Sequence, residues 1–68
     1  MRMQIGKRLR AARQALHWTQ ADLSHHSRVS TGDISRIETG RLVPTDTQLA
    51  RLKNALGLSE VEDVTQPA

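Results

Sequence analysis

The 68-residue sequence predicts an all-α protein, a compact bundle of five short helices. Three observations carry that prediction. Helix-capping signals recur along the chain, apolar residues repeat at three- and four-residue intervals, and strand signals are missing. Phe and Tyr are absent, and the β-branched residues never alternate with polar ones. A chain this short forms a single domain and buries only about 60% of the surface it exposes when unfolded, so its core must be regular. That domain is expected over residues 1–65, with 66–68 fraying at the C-terminus.

The first helix is predicted over 3–16. Ile5, Leu9, Ala12 and Leu16 fall at i, i+4, i+7 and i+11, one face of a helix. The second, over 20–27, starts at "WTQADL". Thr19 is the N-cap, Asp22 sits at N3, and Trp18 and Leu23 form a hydrophobic staple. The same template returns eleven residues later in "VSTGDI", which opens a third helix over 31–39: Ser30 caps, Asp33 sits at N3, and Val29 pairs with Ile34. Asp is not the preferred Glu or Gln of a capping box, but it favours the positive end of the helix dipole. "PTDTQL" opens a fourth helix over 46–56, with Thr45 as cap, Gln48 at N3, and Leu49, Leu52 and Leu56 as its stripe. A weaker start, Ser59 answered by Glu62, predicts a fifth helix over 60–64; its N4 residue is Asp63, so the staple fails. Gly40 and Gly57 stand just past helix ends, where a left-handed residue is wanted.

Composition narrows the function. There is no cysteine, which removes disulfides and thiolate metal sites and suits a reducing cytosol. No apolar run approaches the roughly 20 residues of a membrane span, and the basic N-terminus lacks the apolar region of a secretory signal. The net charge of +3 is unevenly spread. Residues 1–41 hold eight Lys or Arg against three acids; residues 42–68 hold two against four. A basic front and an acidic back suit a polyanionic partner on one face.

Two helix starts eleven residues apart leave room for about two helical turns and a short connection. Helices of that length are not stable alone. They must cross on a shared core, for which Leu23, Val29, Ile34 and Ile37 are the obvious contacts. In a small basic domain this is a helix-turn-helix arrangement, with its motif at about 20–39.

The run "TQADLSHHSRVSTGDISRIETGRLVPTDTQLARLKNALGL" resembles the Cro and lambda-repressor (Xre-like) type of helix-turn-helix protein, and the likeness covers about residues 4–58. The resemblance implies a five-helix lambda-repressor-like domain whose second helix crosses the DNA backbone and whose third enters the major groove. By position, it assigns Thr19 and Gln20 to phosphate contacts, and Thr31, Gly32, Ser35 and Arg36 to base edges. It assigns Ser30, Thr39 and Arg41 to phosphates on either side. It also pairs Arg13 of the first helix with Glu38 near the end of the third, an ion pair expected to set the angle of the recognition helix. Two positions depart from the pattern: His17 and Arg28 stand where many members have glycine. Either those turns differ in shape or some stability is given up.

The glycine within the third helix has two readings. Without a side chain at Gly32, backbone and DNA can approach closely and Thr31, Ser35 and Arg36 do the reading; alternatively Gly32 is a tolerated surface glycine. Arg36 is the best candidate for bidentate contact with guanine, against a phosphate contact or a place in solvent. Lys7, Arg8 and Arg10 form either a solvated face or an attraction for phosphates. His25 and His26 are adjacent on a helix and cannot face one metal, so no metal and no cofactor are expected. Trp18 is expected in its staple rather than stacked on a base. No catalytic constellation, phosphate-cradling loop or room for a substrate pocket is present, so no enzyme is expected.

The expected function is a sequence-specific transcriptional regulator, a repressor that binds double-stranded DNA as a homodimer on a palindromic operator. Leu58, Val61 and Val64 offer dimer contacts, or else complete the monomer's own core. The rival is a protein-interaction module on the same fold, an antiactivator or antitoxin that binds a regulator or toxin. Either would work in the cytoplasm, away from membranes, in a bacterial or phage setting.

Overall fold

Four helices follow one another in the computed structural model, which describes residues 3–58. They are α1 (Met3–Ala15), α2 (Gln20–Ser27), α3 (Thr31–Glu38) and α4 (Asp46–Leu56). No strand occurs among the described residues. Of the five helices expected, these residues hold four; the predicted 60–64 helix, with Val61 and Val64, lies outside them.

The helices begin where their caps dictate. Thr19 and Asp22 form a reciprocal box: the Asp22 N–H donates to Thr19 Oγ1 at 3.0 Å, and the Thr19 N–H donates to Asp22 Oδ2 at 2.9 Å. The bond from the Thr19 backbone N–H, followed by the Thr19 side chain, holds the exposed Asp22 carboxyl below its ordinary range. Thr45 and Gln48 repeat the arrangement at α4, at 3.0 and 3.1 Å. At α3 only half of it forms: the Asp33 N–H donates to Ser30 Oγ at 3.2 Å, while the Asp33 carboxylate points elsewhere.

Left-handed residues end the helices. Gly40 has φ 82° and Gly57 φ 78°. The N–H groups after α3 close the paired bonds of a Schellman turn, Gly40 to the Ile37 carbonyl at 3.1 Å and Arg41 to that of Arg36 at 2.8 Å. Gly57 and Leu58 do the same on Asn54 and Lys53 at the end of α4. His17 (φ 60°) and Arg28 (φ 64°) adopt the same conformation without being glycine. The turns therefore keep the glycine geometry, and it is stability that is given up, about 1–2 kcal/mol for an L-residue in this region.

Two helix ends fall short of expectation. α1 stops at Ala15, because Leu16, His17 and Trp18 turn their N–H groups back to Arg13 and Gln14 and the chain leaves through left-handed His17. Leu16, predicted on the buried stripe, is therefore 43% exposed. α3 stops at Glu38; Thr39 is its C-cap, in a non-helical bridge conformation.

The core is one cluster: Leu9, Leu23, Val29, Ile34, Ile37, Leu52 and Leu56, contributed by all four helices and the α2–α3 turn. Trp18 packs on its edge, stacked on His26 with ring centroids 4.4 Å apart. Leu58, half-buried, also packs against this cluster. α2 lies against α3 and α4, and α1 against the same two helices.

One contact governs the closest approach. A Cβ built on Gly6 would overlap the carbonyl oxygen of Ile37 and lie 3.2 Å from its carbonyl carbon and 3.3 Å from Glu38 Cα. The backbones of α1 and α3 therefore touch, and only glycine fits between them.

Candidate nucleic-acid interface

α3 is amphipathic in the sense a reading helix requires. At about 100° per residue, Ile34, Ile37 and Glu38 occupy one side of it, and all three are buried. Thr31, Gly32, Ser35, Arg36 and Thr39 occupy an arc of about 140° on the other side. Thr31, Gly32, Arg36 and Thr39 are exposed, Ser35 is half-buried, and the Arg36 side chain is 62% exposed. At Gly32 an added Cβ would meet nothing within 4 Å. Nothing inside the protein requires that glycine, so packing does not explain it.

A buried charged network lies beneath α3. Arg13 Nε donates to Glu38 Oε2 at 2.8 Å and Nη2 donates to Oε1 at 3.0 Å, a two-pronged pair between α1 and α3. Arg13 Nη1 donates to the Trp18 carbonyl at 2.7 Å. The two side chains are 10% and 3% exposed. The Glu38 hydrogen bond, the largest influence, raises the Arg13 guanidinium above its ordinary value against opposing desolvation. Every buried side-chain nitrogen and oxygen among the described residues has a partner.

Gln20, the first residue of α2, is drawn into this network: its Nε2 donates to Glu38 Oε1 at 3.1 Å. That leaves one amide hydrogen and the backbone N–H groups of the α2 start to face an anion. Thr19 beside it is exposed, with Oγ1 already accepting from Asp22. Ser30, at the start of α3, and Arg41, beyond its end, are also exposed. The Thr39 hydroxyl donates back to the carbonyls of Ser35 and Arg36 at 3.0 and 3.2 Å. Phosphate oxygens only accept, so Thr39 would have to release that hydrogen to bind one.

Sequence reasoning missed three residues of this region. Gly6 shows no signal of its own, since nothing local marks a glycine that meets another helix. Asp33 reads as a helix-start acid, yet its Oδ1 accepts from Arg36 Nη1 at 3.3 Å and its Oδ2 from Gln48 Nε2 at 2.9 Å. Gln48 reads only as the N3 partner of Thr45.

Two short helices locked on a common core, the second with a polar face turned outward, define a helix-turn-helix unit. The chain matches the helix-turn-helix domain family over residues 4–64 and belongs to it. No curated protein and no solved structure matches the chain. No helix among the described residues is long and apolar enough to cross a membrane.

Proposed function

We propose that this protein is a sequence-specific DNA-binding transcriptional regulator of the Cro and lambda-repressor kind, which represses by occupying its operator. The observation that carries the reading is the division of α3. Its buried side is anchored by Ile34, Ile37 and the Arg13–Glu38 pair, while Thr31, Gly32 and Arg36 face outward with nothing over them. α3 enters the major groove, Arg36 reads guanine through O6 and N7, and bare Gly32 lets the backbone approach the base edges. The start of α2 at Thr19 and Gln20, with Ser30 and Arg41, holds phosphates and supplies most of the affinity and its salt dependence.

A single helix of this length covers only a few base pairs, so the working form is a homodimer on a palindrome. Its half-sites are about one turn of DNA apart. Selection of bound sequences from random duplex DNA at two salt concentrations tests the reading. A palindromic consensus, with affinity falling steeply as salt rises, is the expected result. No enriched sequence, together with a specific protein partner in its place, would overturn it in favour of the interaction module.

A further inference from the structure

Among the described residues three helix starts carry the same cap-and-N3 pattern, and one of them is built differently. At α2 and α4 the N3 side chain returns to the amide of its own N-cap. At α3 it does not. The Ser30 amide lacks the return bond from Asp33, whose carboxylate makes two other contacts instead. One is to Gln48 of α4 at 2.9 Å, the other to the guanidinium of Arg36 at 3.3 Å. Gln48 is itself pinned, its Oε1 accepting from the Thr45 amide and its own N–H donating to Thr45 Oγ1. A continuous line of hydrogen bonds thus runs from the cap of α4 to the tip of Arg36.

A carboxylate on a helix that faces DNA needs an explanation, because phosphates repel it and a reciprocal cap was open to it. The chemistry of Arg36 supplies one. An arginine free on an exposed helix samples many rotamers and can settle on phosphates, which carry no sequence information. A carboxylate hydrogen-bonded to Nη1 at 3.3 Å favours one of those rotamers over the rest and leaves four N–H groups for a base.

We propose that Asp33, tethered to α4 through Gln48, is a specificity-determining residue that positions Arg36 for base reading and disfavours its capture by phosphates. The proposal rests on the DNA-reading role of Arg36. It differs from a capping role in what it predicts: loss of Asp33 lowers discrimination while raising affinity for arbitrary DNA.

The test is selection from random duplexes with the wild type, Arg36→Ala, Asp33→Asn, Asp33→Ala and Gln48→Ala, alongside binding of each to a fixed unrelated duplex. Arg36→Ala identifies the base pair that arginine reads. At that pair alone, Asp33→Asn and Asp33→Ala are expected to weaken preference about two- to tenfold, with Gln48→Ala at the lower end of that range. Both Asp33 variants should bind the unrelated duplex more tightly, since a negative charge is gone. Thermal melting checks that Asp33→Asn stays folded; its backbone N–H still serves the Ser30 cap. An unchanged preference at that pair, or an equal loss at every pair, overturns the proposal while leaving the regulator reading in place. If the wild type itself selects nothing, the regulator reading fails and takes the proposal with it.

Discussion

Glu38→Ala is the most informative single substitution in this domain. It removes three hydrogen bonds at once, two from Arg13 and one from Gln20. What remains is a guanidinium whose side chain is 10% exposed, with only the Trp18 carbonyl as a partner. Removing one partner of a buried pair costs about 3–5 kcal/mol, because the remaining charge is uncompensated. A domain of this size has roughly 3–10 kcal/mol of stability in all, so the variant should lose at least about a third of it and, at the low end of that range, approach its unfolding midpoint in water. Urea titration followed by helical circular dichroism measures this, with linear extrapolation giving the difference. The companion double variant, Arg13→Met with Glu38→Leu, removes both charges and keeps the volume. It should recover most of the loss and lie within about 2 kcal/mol of wild type, as replacement of buried pairs by apolar residues often does. Two results would refute the reasoning: a Glu38→Ala cost under about 1 kcal/mol, or a double variant as unstable as the sum of the two single ones.

Gly6→Ala and Gly32→Ala should move stability in opposite directions. The first forces α1 off α3 and costs about 1–3 kcal/mol despite alanine's better helix propensity; the second meets no atom and gains up to about 1 kcal/mol. Thermal melts of both variants decide it, and melting temperatures that shift the same way would contradict the geometry. Arg28→Gly relieves a left-handed arginine and should raise the melting temperature by several degrees, a net gain of about 1 kcal/mol after the entropy glycine adds to the unfolded chain; a fall would show the arginine to be stabilising. Asp22 links the α2 cap to pH. Its folded-state carboxyl is held below the ordinary value of 3.8, so its contribution is complete above that pH and is lost as pH falls through the depressed folded value. The gap in urea midpoint between wild type and Asp22→Asn should therefore be flat from neutral pH down to about 5 and close in stronger acid. A gap that persists unchanged in acid would assign it to something other than the carboxylate charge.

Much of the fold was legible because it is written locally. Thr19, Ser30 and Thr45 announce their helices by side chains that act within one turn. The spacing of Leu23, Ile34 and Ile37 places them on facing sides of two short helices, with Val29 in the turn between. Gly40 and Gly57 mark ends for the same local reason. Contacts between distant parts of the chain left no such mark. Gly6 is excluded from being anything larger by a carbonyl 31 residues away, and Asp33 is claimed by Gln48, 15 residues on. Leu16 fits the periodicity of α1 but lies beyond its end, since a stripe of apolar residues does not say where the helix stops. The Arg13–Glu38 pairing came from a resemblance; helical periodicity has no means of joining residues 25 apart.

The backbone contact at Gly6 has a consequence for how such a domain can change its target. Beneath α3 lie a main-chain contact at Gly6, the core side chains Ile34 and Ile37, and one ion pair, none of which involves Thr31, Gly32, Ser35 or the guanidinium of Arg36. Those outward positions can be rewritten without disturbing the mount, as a key can be recut on an unaltered blank. On the proposed reading, new binding preferences are then reachable through a few exposed substitutions, while changes at Gly6, Arg13 or Glu38 would act on every version alike.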